Sequence, residues 1–197
     1  MTLRISGGAW RGRALAAAPG SRPTQERVRE ALFSSWGARI AGASFLDLFA
    51  GSGCVGFEAL SRGAGSCAFV DSREQTVRVL TANARELQAD VAIACLELPA
   101  RLDCLPAGWP RRFDLIFADP PYDFEDYGAL LAALRPRLAA GGEAAVEHSS
   151  RRSLAAGSVA IDRERRYGES TLTFLREGSR EGLREGSREG LREGEEQ

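Results

Sequence analysis

Lysine is missing from this chain of 197 residues: all 26 basic residues are arginine. A tyrosine–lysine pair of the dehydrogenase kind therefore cannot form. Histidine is nearly missing as well, with only His148, and the four cysteines, Cys54, Cys67, Cys95 and Cys104, contain no C-x-x-C pair. That combination argues against a zinc site or any other metal and against a disulfide framework. The thiols are expected to be buried and reduced. His148 follows an apolar stretch and is assigned no role. No apolar run approaches the length that crosses a bilayer, and the amino terminus lacks a signal-peptide core. A cytoplasmic protein without a membrane partner is expected. The net charge of −1 by itself predicts no affinity for nucleic acid.

What is present fits one α/β domain with a full core. Apolar residues make up 44% of the chain and charged residues 27%, ordinary proportions for a globular protein. The charge is unevenly placed. Residues 1–39 hold seven arginines against two acids, and guanidinium is the better bidentate ligand for phosphate.

Within that basic region, residues 4–15 read as a β-hairpin, because Gly7-Gly8 permits the positive φ angles of a tight turn. Arg11 and Arg13 then share one face of the second strand, either along a phosphate backbone or as the solvated charges of an edge strand. Thr24 is a plausible N-cap for a helix from 25 to about 36, with Val28, Leu32, Phe33 and Trp36 as its apolar stripe. Arg22 and Arg29 face either a ligand or solvent.

The first core strand, 44–50, runs directly into Gly51-Ser-Gly53-Cys-Val-Gly56, a G-x-G-x-x-G, with a helix from 54 to 62 after it. Such glycines let the backbone turn tightly and let a ligand approach the peptide groups. A second strand, 67–70, ends in Asp71, placed to accept hydrogen bonds from a ribose diol. A helix over 73–87 and a third strand over 91–96 follow. Glu97 and Leu98 then lie at the sheet's carboxyl edge, where an adenine can be read.

Residues 113–118 form a short apolar run with one acid, the pattern of a strand buried on both faces. It stops at Asp119-Pro120-Pro121-Tyr122. The two prolines remove two backbone donors and hold a stiff extended turn, at the position where open α/β sheets place ligands. Asp119 offers an acceptor-only carboxylate, Pro120 a carbonyl, and Tyr122 a flat ring. Together they suit a planar heterocycle with an exocyclic –NH2, although Pro and Asp are also ordinary turn residues. A helix over 127–138 closed by Gly141-Gly142, a strand over 143–147 and an antiparallel pair over 159–166 and 170–175 complete the core. Residues 175–194 repeat Leu-Arg-Glu-Gly-Ser-Arg-Glu-Gly with period eight. Glycine at every fourth position disfavours a helix, so 178–197 is expected to be a disordered tail.

Asp47-Leu-Phe-Ala-Gly-Ser-Gly-Cys-Val-Gly and Asp119-Pro-Pro-Tyr, in that order, resemble the amino-methylating branch of the Rossmann-like, S-adenosylmethionine-dependent methyltransferases. Arg4-Ile-Ser-Gly-Gly-Ala-Trp-Arg-Gly-Arg and Arg22-Pro-Thr-Gln-Glu-Arg-Val-Arg-Glu-Ala-Leu-Phe narrow this to the RsmD family, over about residues 4–175. The resemblance implies a class I methyltransferase fold: a mostly parallel seven-stranded sheet with an antiparallel C-terminal pair, plus an N-terminal hairpin and helix. It divides the chain into an extension (1–40), a methyltransferase domain (41–177) and the tail. It implies transfer from S-adenosylmethionine to the N2 amine of a guanine in 16S ribosomal RNA, free or in the small subunit, by a monomer. Gly51 and Gly53 would lie beneath the methionine part of the cofactor with Asp47 close by, and Asp71 would hold the ribose. Glu97 and Leu98 would sit near the adenine, and the Arg22-Pro-Thr24 segment would close over the methionine end. The position of Glu97 is usually Asp or Asn in the family. Asp119, Pro120, Pro121 and Tyr122 would carry catalysis, and Arg11, Arg13 and Arg22 would meet RNA. The competing readings are a DNA adenine-N6 or cytosine-N4 amino-methyltransferase, for which no inserted recognition region is long enough, a nicotinamide-dependent dehydrogenase, and a non-catalytic RNA-binding module.

Overall fold

Two short strands, β1 (Leu3–Arg4) and β2 (Ala14–Leu15), pair antiparallel near the amino terminus and lead to helix α1 (Glu26–Trp36). The computed structural model in which they are seen describes residues 3–18, 26–154 and 161–176. The remaining strands are β3 (Ser44–Leu48), β4 (Ser66–Asp71), β5 (Ala92–Cys95), β6 (Phe113–Ala118), β7 (Leu138–Ser149), β8 (Ile161–Tyr167) and β9 (Ser170–Arg176). They form one sheet in the order β5-β4-β3-β6-β7-β9-β8. The pairs from β5 across to β7 are parallel; β9 runs antiparallel to both β7 and β8. This is the sheet implied by the class I methyltransferase resemblance. After β3 the chain builds outward through β4 and β5, then returns to lay β6 on the other side of β3. The reversal opens a crevice at the carboxyl ends of β3 and β6.

The long apolar runs are explained by burial on both faces. Phe45, Phe69, Phe117 and Phe174 pack on one side with α1, α2 (Cys54–Ser61) and α3 (Glu74–Leu87). Leu46, Leu48, Val70, Ile116 and Val146 pack on the other with α4 (Tyr127–Leu134) and Leu102. Helix α1 contributes Val28, Leu32, Phe33 and Trp36 to the first cluster. The N-terminal extension is thus part of the domain's own core. Among the described residues, no helix is long and apolar enough to cross a membrane.

Three expectations need correction. The hairpin exists, but residues 9–12 form turns, so Arg11 and Arg13 do not share a strand face. The helix that starts at Tyr127 ends at Leu134, because Pro136 enters a single 3-10 turn over Arg135–Arg137 and proline cannot continue an α-helix. Gly141-Gly142 does not cap that helix. It lies inside β7, where the pairing with β6 jumps from Phe113↔Leu138 to Leu115↔Glu143. Finally, Cys54 and Cys67 are buried free thiols, whereas Cys95 and Cys104 are exposed. The repeat tail lies outside the described residues.

Two buried carboxylates fasten α1 to this frame. Glu58 on α2 accepts five hydrogen bonds: from Arg29 Nε (2.8 Å), Ser6 N (3.1 Å), Ser6 Oγ (2.7 Å), and Arg62 Nε (2.9 Å) and Nη2 (2.7 Å). Arg29 is buried in this contact and therefore faces neither ligand nor solvent. Glu143 on β7 accepts from Trp36 Nε1 (2.9 Å), Arg39 Nη1 (2.9 Å), and Arg163 Nη1 (3.0 Å) and Nη2 (2.8 Å), with Arg176 Nη2 at 3.5 Å. Burial alone would raise the Glu143 carboxyl. The hydrogen bonds and charge of Arg163, the charge of Arg39 and the Trp36 N–H outweigh it, so the carboxyl sits below its ordinary value.

A carboxyl depressed by folding stabilises the protein fully above its unfolded pKa and loses that contribution as pH falls through the folded value. Wild type and Glu143→Gln should therefore differ most in melting temperature near neutrality. The gap should close below about pH 4, as followed by circular dichroism.

Candidate active site

Beyond β3 the backbone turns back on itself. Phe49 (φ 55°), Gly51 (φ 57°) and Gly53 (φ 77°) all adopt left-handed conformations, and α2 starts at the next residue, Cys54. A Cβ on Gly53 would lie 2.6 Å from Phe57 and 2.7 Å from Leu80, so both space and φ require glycine there. Two strand-end acids hold the turn. Asp71 Oδ2 accepts from Gly51 N at 3.1 Å, and Asp47 Oδ2 accepts from Gly56 N at 2.9 Å. Asn83 braces it from α3 through a 2.9 Å bond from Nδ2 to Ser52 O.

Asp47 is buried, and burial pushes its carboxyl well above the ordinary range; the Gly56 N–H opposes the shift and the charge of Asp71 adds to it. A positively charged ligand in the cavity would favour the ionised form that burial opposes at Asp47, as the carboxylate of Asp71 beside it would favour that ligand. Cys54, at the start of α2, senses the same charges. Its thiol is pushed up to about 11 by burial, against the pull of Arg29, with Asp47 and Asp119 adding to the rise.

On the far side of the crevice, β6 ends in the proline corner. Asp119 N donates to Leu48 O at 3.4 Å and Phe124 N to Pro121 O at 2.9 Å, which ties the corner to β3 and closes it on itself. Pro120 is buried, whereas Tyr122 is 80% exposed. A large ring left this open is available for stacking.

One cavity of about 650 Å³ joins the two sides. Asp47, Gly51, Asp71, Glu97 and Leu98 line one half, and Asp119, Pro120, Pro121 and Tyr122 line the other. Gly53 shapes the loop from behind and does not line the cavity. Arg11 is exposed and Arg13 donates from Nη2 to Glu86 O at 2.7 Å; neither reaches the cavity wall. Thr24 and Arg22 lie outside the described residues. Among the described residues, no cluster of acids, cysteines and histidine is close enough to hold a metal ion.

Residues outside the sequence motifs complete the wall. Phe124, Tyr127, Glu147, His148 and Arg152 line the cavity beside the proline corner. The rings of Phe49, Phe124, Tyr127 and His148 follow one another at 5.5, 5.0 and 6.0 Å, and Arg152 lies 5.2 Å over Tyr127. His148 has both ring nitrogens engaged, with Nδ1 3.0 Å from Ser149 O and Nε2 2.8 Å from Thr173 Oγ1. Burial holds its pKa below the usual value. Its ring is wall rather than acid or base. The signal for Glu147 was available in the sequence: it ends the apolar run of β7 much as Asp119 ends that of β6.

Residues 3–176 match the model of the family described as Conserved hypothetical protein 95. The chain belongs to this family, the RsmD family. Among its relatives, YlbH of Bacillus subtilis is 34% identical over 174 residues, which cover 84% of this chain and 94% of that protein. The Ribosomal RNA small subunit methyltransferase D of Haemophilus influenzae is 40% identical over 126 residues, covering 62% of this chain and 65% of that enzyme. The solved structure of yhhF from Escherichia coli superposes with a TM-score of 0.75 at 30% identity, covering 90% of this chain and 98% of that one. The RsmD fold thus accounts for the described part of the molecule, including its N-terminal extension.

Gly53→Ala should strain the corner and displace Phe57 or Leu80. Its melting temperature should fall and ligand binding to the cavity should weaken, whereas Gly12→Ala, with open space around its Cβ but a similar positive φ, should cost only the backbone strain. Thermal melts of the two variants separate crowding from strain.

Proposed function

We propose that this chain transfers a methyl group from S-adenosylmethionine to the exocyclic N2 amine of a guanine in small-subunit ribosomal RNA. The observation that carries the reading is that the glycine turn with Asp71 and the Asp119–Tyr122 corner open onto one cavity at the reversal point of the sheet. The RsmD relatives named as small-subunit RNA methyltransferases support the substrate class, although they are matched over only 65% and 60% of their length.

S-adenosylmethionine supplies an electrophilic methyl group on a cationic sulfonium. The chain's own residues fit such a ligand. Gly51 would bring the backbone close to it, Asp71 with Asp47 nearby would favour its charge, Asp71 would accept from the ribose hydroxyls, and Glu97 and Leu98 would lie near the adenine. The Arg22–Thr24 segment is assigned to the methionine end.

The guanine is taken out of its stack, or is already unpaired in folded RNA, and rests on Tyr122, where stacking contributes about 1–3 kcal/mol. Asp119 and the Pro120 carbonyl accept the amine hydrogens. They thereby aim the nitrogen lone pair at the methyl group and stabilise the positive charge that grows on nitrogen. The proton then leaves to Asp119 or to water. Pro121 keeps the corner rigid. In the extension, residues 1–40, Arg11 with Arg13 and Arg22 would provide contacts for RNA phosphates. A DNA amino-methyltransferase is disfavoured because, among the described residues, no segment between strands has the length of an added recognition region.

S-adenosylmethionine should raise the melting temperature of the protein and NAD should not. A shift with NAD alone would remove the cofactor assignment. Asp119→Ala should lower methyl transfer to small-subunit RNA by about a hundredfold or more while cofactor binding, read by calorimetry, largely survives. Parallel loss of both would show that Asp119 serves the cofactor instead.

A further inference from the structure

The cavity contains a further carboxylate that the mechanism above does not use. Glu147 follows Val146 on β7, and Val146 pairs with Ala118, the residue before Asp119. Continuing that register by one residue sets Asp119, just past the end of β6, beside Glu147, two residues before the end of β7, about one strand spacing of 4.8 Å away and on the same face of the sheet. Both side chains line the cavity, and Glu147 is 7% exposed. Tyr127 lines the same cavity, and the charges of Asp119 and Glu147 add to the rise that burial imposes on its hydroxyl, against the pull of Arg152.

Their pairing has a chemical consequence for the choice of base. Adenine, cytosine and guanine all carry an exocyclic amine, so acceptors on Asp119 and Pro120 alone cannot separate them. The ring nitrogens beside the amine differ: adenine and cytosine have one, a lone-pair acceptor, whereas guanine has two, the N1–H donor on one side and the lone-pair acceptor N3 on the other. A carboxylate on the N1 side of the amine attracts guanine and repels the other two. The geometry points to Glu147 as the residue that selects guanine, its carboxylate accepting from N1–H while Asp119 and the Pro120 carbonyl take the hydrogens on N2. This rests on the guanine-N2 reading and assigns the specificity of that site to a residue outside the Asp-Pro-Pro-Tyr corner.

The test replaces the N–H rather than the amine. Once the modified guanine is mapped with wild-type enzyme on small-subunit RNA from cells lacking the protein, a synthetic segment with 2-aminopurine at that position is ligated into the RNA. 2-Aminopurine keeps the exocyclic amine but presents a bare ring nitrogen in place of N1–H. Wild type should methylate it with kcat/KM lower by at least about a hundredfold, and cofactor-free protein should bind that RNA more weakly than the guanine form. Glu147→Gln should narrow the ratio, because an amide can turn either its oxygen or its NH2 toward the base. Equal kcat/KM on the two RNAs for wild type, with N2-methylguanine as the product from the natural RNA, overturns the role of Glu147 alone. So does a folded Glu147→Gln variant that is slower on both RNAs with the ratio unchanged. A wild-type product other than N2-methylguanine removes the underlying reading, and this one with it. The wild-type ratio decides the question even where the variant melts early.

Discussion

The position of the cavity depends on the Glu58 carboxylate. Its helix, α2, begins where the glycine turn ends and is only eight residues long, so whatever holds its far end also holds the turn. Glu58 draws in Ser6 from the N-terminal segment, Arg29 from α1 and Arg62 from just past α2. A buried carboxylate needs compensation of this kind, since removing one partner of a buried pair leaves the other charge stranded at a cost of about 3–5 kcal/mol. One helical turn further on, Ser61 adds its own set of bonds. It donates from Oγ to Gly7 O, accepts from Trp10 N on Oγ, and accepts from Ala9 N on its carbonyl.

This clasp changes the meaning of the N-terminal motif. In the sequence, Gly7-Gly8 signals a tight hairpin turn and the nearby arginines signal a phosphate track. In the structure Gly8 has a positive φ, but its lack of a Cβ matters more because the Ser61 backbone carbonyl occupies the space where one would be. Gly7 is likewise covered by the Arg62 guanidinium. The motif docks the extension on α2, and the ribbon itself is only two residue pairs long. Nothing in a single sequence distinguishes a glycine needed for a turn from one needed for close approach, because the partner lies some fifty positions away.

The sheet was more legible. Apolar runs such as Phe113–Ala118 cannot be amphipathic, so burial on both faces and parallel pairing followed, and with them the crevice where Gly51, Asp71 and Asp119 meet. Element ends were less legible where proline and glycine carried competing meanings, as at Pro136 and Gly141-Gly142. The second half of the cavity was hidden for a different reason. Tyr127 and His148 match no motif; β7 brings His148, and helix α4 brings Tyr127, to the wall beside Asp119 only once the sheet is assembled. Phe49 belongs with them: its left-handed φ is uncommon for a bulky residue, and its ring lies 5.5 Å from that of Phe124, linking the two halves of the cavity.

The Glu143 cluster also imposes an order in time. Trp36 and Arg39 leave the ribosome early, Glu143 much later, and Arg163 and Arg176 later still. Until the final antiparallel strands are made, the acid at the centre of that cluster lacks most of its compensating charge, and α1 has no finished sheet to rest on. Such long-separated contacts slow folding. The cavity wall itself includes Glu169 and Ser170, so its last pieces arrive only when nearly all of the described residues have been translated.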